Sequence, residues 1–327
     1  MATALVLALS ACSPGEGDGQ NSGAENGGGE QSDSAPRTVD TPMGEVEVPG
    51  NPERVVVLNY ALAGYLYDLG IPVVGMVPED ADADGEFSEL WGDAPEEDGT
   101  EFLPWSPEGF DLEAVLEMDP DLIIAGGWGF PYFQAEEAYE ELSDIAPTVM
   151  VDQELADWQE QYSFLAEDVF DEPETYQDSV ENYEARLEEV AEAIELPPQP
   201  TSFVSVLADG TPYLVLEDTG LPRVFEDLGF EIAPLGEEHE LDPYVPGGDM
   251  AELSTEQLGQ IMDAETLFVF GFNTDTYSAE DLREESVWRS LPAMDNDEAY
   301  DLPYWVLRHD YDEAIEMLDI VEETFSS

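Results

Sequence analysis

Hydrophobic positions along this chain alternate between unbroken runs and three-to-four-residue spacing. Val55 to Leu58 is a continuous apolar, β-branched run, the pattern of a strand buried on both faces. Ala61 to Leu69 repeats at helical spacing and stops at Gly70, a residue suited to the left-handed position past a helix end. Ile71 to Val77 then predicts a second strand. Residues 203–234 repeat the order of strand, connection, helix, Leu228-Gly229 and strand. A second echo follows. Residues 111–128 and 252–272 each predict a helix, an acidic turn (Asp119-Pro-Asp; Asp263-Ala-Glu) and a buried strand. Ser254 with Gln257 has the spacing of a capping box.

Between the two copies lies residues 173–196, where Tyr176, Val180, Tyr183, Leu187, Val190, Ala191 and Ile194 share one helical face. Pro173 suits the start of that helix and Pro197-Pro198 its end. Strands alternating with helices predict an α/β fold. The expected architecture is two similar α/β lobes, with mainly parallel sheets, joined by a single long connecting helix. The ligand cleft would lie between the lobes. The expected boundaries are an N-terminal lobe over 37–172, the connecting helix over 173–196 and a C-terminal lobe over 197–327.

The first residues change the picture. Leu5 to Ala11 is a short apolar run ending in small residues, directly before Cys12, the only cysteine of the chain. The run is too short to span a bilayer. It has the form of a secretory signal with its cleavage site, although no basic residue precedes it. Leu9-Ser10-Ala11-Cys12 resembles the bacterial lipobox, which implies a signal over 1–12 and a lipid attached to Cys12. Residues 13–36 hold Gly, Ser, Asn, Gln and acid without aromatic or branched aliphatic side chains. They predict a disordered acidic tether.

In their order and spacing, several short motifs resemble the substrate-binding lipoproteins of ABC importers for ferric siderophores, cobalamin and haem. They are Asn51-Pro-Glu-Arg-Val-Val, Asp68-Leu-Gly with Val74-Gly, Asp119-Pro-Asp-Leu-Ile-Ile, Ile145-Ala-Pro-Thr, Leu253-Ser-Thr-Glu-Gln-Leu and Trp288-Arg-Ser-Leu-Pro-Ala. The resemblance runs from about Val39 to the C-terminus. It implies a lipid-anchored, non-catalytic capture protein on the outer face of the cell membrane. Such a protein would take a ferric siderophore between its lobes and deliver it to permease subunits, working as a monomer. Haem or cobalamin on the same architecture is the alternative, and a cell-surface enzyme a more distant one. Iron would travel inside the siderophore, so no cofactor and no protein metal ligand is expected.

Ligands of open α/β sheets sit beyond the carboxyl ends of strands. That rule selects Tyr60 and Trp128, each after a predicted strand, and Tyr304 and Trp305 near the end of the chain. Large rings on such loops face a bulky chelate at low entropic cost. Arg223 and Arg308 could meet ligand oxygens or protein carboxylates. The resemblance further implies one acidic permease-docking residue on each lobe. Glu256 fits in the second lobe, and Glu137, then Glu136, in the first.

Composition excludes several classes. The chain holds 79 acidic and 7 basic residues, for a net charge of −72. Nucleic acid is excluded as a partner, because phosphate binding needs cationic patches. One Cys and two His, His239 and His309, cannot supply a usual zinc site. There is no GxSxG elbow, P-loop or GxGxxG opening a helix. The dispersed acidity also predicts a saline or alkaline habitat, since salt screens self-repulsion. Raising salt from about 0.05 M to about 2 M should therefore raise the melting temperature measured by circular dichroism. An unchanged melting temperature would contradict that expectation.

Overall fold

The computed structural model describes residues 35–155, 157–244 and 248–326. Cys12 and nearly all of the expected tether lie outside the described residues. The chain enters through an antiparallel hairpin, Arg37–Thr41 with Gly44–Val48, that the hydrophobic pattern did not announce.

The first sheet has five parallel strands, in the order Glu101–Phe102, Val73–Met76, Val55–Val57, Leu122–Gly126 and Thr148–Val151. Its two central strands are buried throughout, which explains their unbroken apolar sequence. Chain order diverges between Val55–Val57 and Leu122–Gly126, so the loops after these strands open a crevice at the carboxyl edge.

The second sheet also has five strands, in the order Met250–Glu252, Pro212–Val215, Thr201–Val206, Thr266–Gly271 and Ala299–Asp301. Thr201–Val206, Thr266–Gly271 and Ala299–Asp301 run parallel, and the other two strands join antiparallel. Here the expected echo is incomplete. After Thr201–Val206 the chain reverses at Asp209-Gly210, where Leu207 N donates to Thr211 O at 3.0 Å and Gly210 takes φ +84°. Asp-Gly is a strong hairpin signal, and it turns the expected crossover into a hairpin. The strand expected before Ala233 shrinks to a single bridge between Ile232 and Thr201.

The connecting helix runs Pro173–Ala193. It stops three residues before the expected end because Ile194 turns extended and pairs with Ser326. It lies alongside the C-terminal helix Tyr311–Phe325. Asn182 Nδ2 donates to Tyr311 Oη at 2.8 Å, and Arg186 Nε donates to Asp319 Oδ1 at 2.7 Å. Arg186 also holds Glu322.

Three apolar clusters fill the molecule. One lies on the outer face of the first sheet, around Val56, Ile123 and Met150. Another lies on the corresponding face of the second, around Val204, Leu267 and Val269. The largest is continuous from Val55 and Leu122 of the first sheet, through Tyr183 and Val190 of the connector, to Phe203 and Phe268 of the second. The lobes thus share one core.

Arg186 is the one basic residue of this helix pair, and it bridges the two helices. Arg186→Ala should cost about 1–2 kcal/mol, allowing for its partly exposed partners, read as a lower urea midpoint. Arg186→Lys should restore little, because a point charge cannot span two carboxylates as a guanidinium does. Full stability in Arg186→Ala would contradict this role.

Candidate functional site

The loops at the carboxyl edges of the two sheets meet. In the first lobe Asn59, two residues past Val55–Val57, is buried and ties the edge together. Its Nδ2 donates to Gly126 O at 2.7 Å and Trp128 O at 3.1 Å, and its Oδ1 accepts from Ala61 N at 3.2 Å. The Trp128 indole donates to Leu155 O at 2.6 Å, which fixes the half-buried ring against the loop after Thr148–Val151. A helix, Phe130–Glu137, does follow the Gly126–Gly129 loop, and it exposes Phe130 and Phe133.

Tyr60 donates to Glu86 O at 3.0 Å and packs on Trp91 at 4.8 Å between ring centroids. Trp91 reaches the other end of the chain, where its indole donates to Asp310 Oδ2 at 3.0 Å. Asp310 caps the C-terminal helix, and its Oδ1 accepts from Glu313 N at 3.0 Å. Helix Ala63–Asp68 packs directly on this carboxylate. A Cβ on Gly64 would fall 1.7 Å from Asp310 Oδ2, so only glycine permits the approach.

The second lobe contributes Phe272 and Asn273, after Thr266–Gly271, and the turn Tyr304–Arg308, after Ala299–Asp301. Described contacts cross between the lobes at this edge: Asn273 Nδ2 donates to Asp80 Oδ1 at 3.1 Å, and the Tyr304 hydroxyl lies within electrostatic reach of Glu79. Glu79, Phe272, Asn273, Tyr304, Trp305 and Leu307 line a small cavity of about 10 Å³. Burial, then the charge of Glu79, pushes the hydroxyl pKa of Tyr304 far up, so it stays a donor. The same two causes raise that of Tyr60.

Of the ring residues selected from sequence, Tyr304 and Trp305 line this cavity. Tyr60 lies within electrostatic reach of Glu79 and Tyr304, and Trp128 lies on the neighbouring first-lobe loop. Arg223 is exposed on helix Gly220–Asp227 and does not line the cavity. The strand before it runs antiparallel to Thr201–Val206, so its loop leaves from the edge opposite Phe272 and Asn273. Arg308 ends the Tyr304–Arg308 turn, and its side chain is outside the described part. Glu136 and Glu137 are exposed on Phe130–Glu137. Glu256 is exposed in the first turn of Thr255–Ile261, below the expected Ser254–Gln257 capping box, which forms.

Sequence reasoning passed over Glu79, Asp80, Asn59 as a clamp, and the Trp91–Asp310 pair. Glu79 and Asp80 directly follow the predicted strand Ile71–Val77, so the carboxyl-edge rule could have found them. Nothing in the local sequence joins Trp91 to Asp310. His309 is buried, with its Nδ1 proton given to Val306 O at 2.8 Å. Among the described residues, no group of three or more His, Cys, Asp or Glu side chains is placed to hold a metal ion.

Comparison with known proteins agrees with this geometry. The pattern of the periplasmic binding protein family matches residues 55–304. The ferric enterobactin-binding periplasmic protein FepB of Escherichia coli is 27% identical over 305 residues, covering 89% of this chain and 91% of FepB. The probable siderophore-binding lipoprotein YfiY of Bacillus subtilis is 26% identical, covering 98% and 94%. Among solved structures, holo-ViuP superposes with a TM-score of 0.74 at 22% identity, covering 89% of this chain and 96% of that one. The Bacillus subtilis protein FeuA, complexed with ferri-bacillibactin, gives 0.67 at 18% identity, covering 88% and 97%. At these identities the structural matches establish the fold.

The acidic joint behind the site gives a pH signature. Burial, then the charge of Asp312, lifts Asp68 to about 8, and its Oδ2 is buried without a hydrogen-bond partner. Burial, then Asp310, lifts Asp312 to about 7. Both carboxyls are neutral in the fold at mildly acidic pH and must ionise inside it as pH rises. Their stabilising effect is complete below the unfolded value of about 4 and is lost as pH rises through 7 to 8. The urea midpoint should fall between pH 5 and pH 8.5. Asp68→Asn should flatten that fall. An equal slope in the variant would contradict the placement of Asp68.

Proposed function

This chain belongs to the periplasmic binding protein family, and from that premise we propose that it captures a ferric siderophore for an ABC importer. The supporting observation is similarity along nearly the whole chain to proteins named for binding ferric enterobactin and siderophores. The crevice between two carboxyl edges is where such a ligand would sit. Tyr60, Trp128, Tyr304 and Trp305 would offer ring surface to the chelate. Arg308 would offer charge to its oxygens, whereas Arg223, at the opposite edge of the second sheet, would not. The siderophore encloses the iron, so the chain needs no metal ligand of its own.

Lipid on Cys12 would hold the protein on the outer face of the membrane, with residues 13–36 as tether. It would act as a monomer. Glu256 on the second lobe, and Glu137 or Glu136 on the first, would meet basic residues of the permease. Asp and Glu spread over the surface would keep the protein soluble in a saline or alkaline setting.

The same field selects among siderophores. A triscatecholate complex is strongly anionic and is repelled by a chain of net charge −72. A neutral or cationic hydroxamate complex is not. Proteins named for iron(3+)-hydroxamate binding, FhuD and YxeB of Bacillus subtilis, are each 25% identical to this chain. Titration followed by tryptophan fluorescence should give a ferric trihydroxamate at least about tenfold tighter binding than ferric enterobactin, about 1.4 kcal/mol. Tighter binding of the triscatecholate would overturn the hydroxamate assignment. Binding of neither would overturn the siderophore reading.

A further inference from the structure

The crevice between the two carboxyl edges is shut. The space that Asn273, Tyr304, Trp305 and their neighbours line is about 10 Å³, room for one water-sized group. Pockets that bury a ligand the size of a chelate have roughly 300–1,000 Å³. A siderophore therefore enters only when the rims part, and whatever fastens them governs its entry.

Each rim is a short arch held at its ends. In the first lobe Val77 N donates to Val57 O at 3.1 Å and Asp82 N to Trp105 O at 2.9 Å, so residues 78–81 lie between two anchors. In the second lobe the chain turns tightly after Thr266–Gly271, where a Cβ on Gly271 would fall 1.8 Å from Thr274 O. Thr276 Oγ1 then donates to Val206 O at 2.6 Å. Asn273, inside this arch, takes φ +59°, a conformation that Asn tolerates better than most residues. Its amide Nδ2 donates to Asp80 Oδ1 of the opposite arch at 3.1 Å.

Charge works against this closure. Asp275 shares the arch of Asn273, and Asp80 faces that arch, so like charges oppose each other across the crevice. The neutral amide lets one carboxylate rest on the other lobe. Asp80 is exposed, so the bond competes with water and is weak enough to break and re-form. The lobes stay joined through their shared core when it breaks.

We propose that the Asp80–Asn273 hydrogen bond is a latch: it holds the empty crevice shut, and its release admits the ligand. It rests on the siderophore reading only for the molecule that enters.

Ferrichrome, a neutral ferric trihydroxamate, is a probe whose approach depends little on the charge of a variant. Stopped-flow quenching of tryptophan fluorescence should give Asp80→Ala an association rate constant about fivefold above that of the unmodified chain. Asp84→Ala removes an equal charge from an exposed position of the same loop and should leave the rate unaltered. Asp80→Cys with Asn273→Cys, in a Cys12→Ser chain, allows a two-carbon bismethanethiosulfonate to tie the rims together. The tied protein should take up ferrichrome at least about tenfold more slowly than its own reduced form, and dithiothreitol should restore the rate. Equal rates in the tied and reduced forms would overturn the latch, as would an unaltered rate in Asp80→Ala. If ferrichrome does not bind the unmodified chain, the hydroxamate reading fails, and amide hydrogen exchange of the ligand-free protein decides the latch by itself. Asp80→Ala should then speed exchange several-fold in residues 272–277, which belong to the other lobe. Unaltered exchange there overturns it.

Discussion

The rest of the molecule depends on an apolar core that is not divided between its lobes. It runs from Val55 and Leu122 of one sheet, past Tyr183 and Val190 of the connector, to Phe203 and Phe268 of the other. The C-terminal helix lies in the same layer and brings Met317, Leu318 and Phe325. A connector packed this way is a structural beam and not a string. Burying its apolar face against both lobes fixes the distance between the two carboxyl edges. The helix pair would face its own charges along the solvent side, and Arg186 relieves that repulsion between Asp319 and Glu322.

This frame decides which loops can touch a ligand. Parallel strands send Asn59, Glu79 and Trp128 to one rim and Phe272 and Asn273 to the other. Asn59 clamps the first rim, and the Gly271 turn stiffens the second. Behind the rims, Asp310 receives the Trp91 indole while Asp68, Asp312 and Glu313 are driven toward their neutral forms by burial. The chain therefore handles carboxylates in two ways. Those on the surface are left in contact with solvent. Those in the joint give up their charge or are held by hydrogen bonds, so a protein this acidic still closes a continuous core.

Much of this was legible in sequence because periodicity reports burial. The strands at Val55 and Leu122 and the connector from Pro173 are all written as apolar runs or stripes. The Ser254–Gln257 capping box is written as a spacing. What escaped was set by pairing across distance. Asp209-Gly210 makes a hairpin only because Pro212–Val215 finds Thr201–Val206 and Met250–Glu252 on either side. Trp91 meets Asp310 across more than half the chain, and Gly64 is required only because that carboxylate lies against it. Tyr304 and Trp305 were visible as rings after an apolar turn near the chain's end, but Glu79, which lines the same cavity, comes from the other lobe. A cleft residue is legible when its own strand announces it, and obscure when a distant loop gives it meaning.

The central claim is that this chain carries an iron chelate. Native mass spectrometry of the protein extracted from its own membrane under iron limitation tests it most directly. The account predicts one bound small molecule per chain, with the isotope pattern of iron, released as a ferric hydroxamate. A retained sugar, peptide, haem, cobalamin or bare metal ion would contradict it.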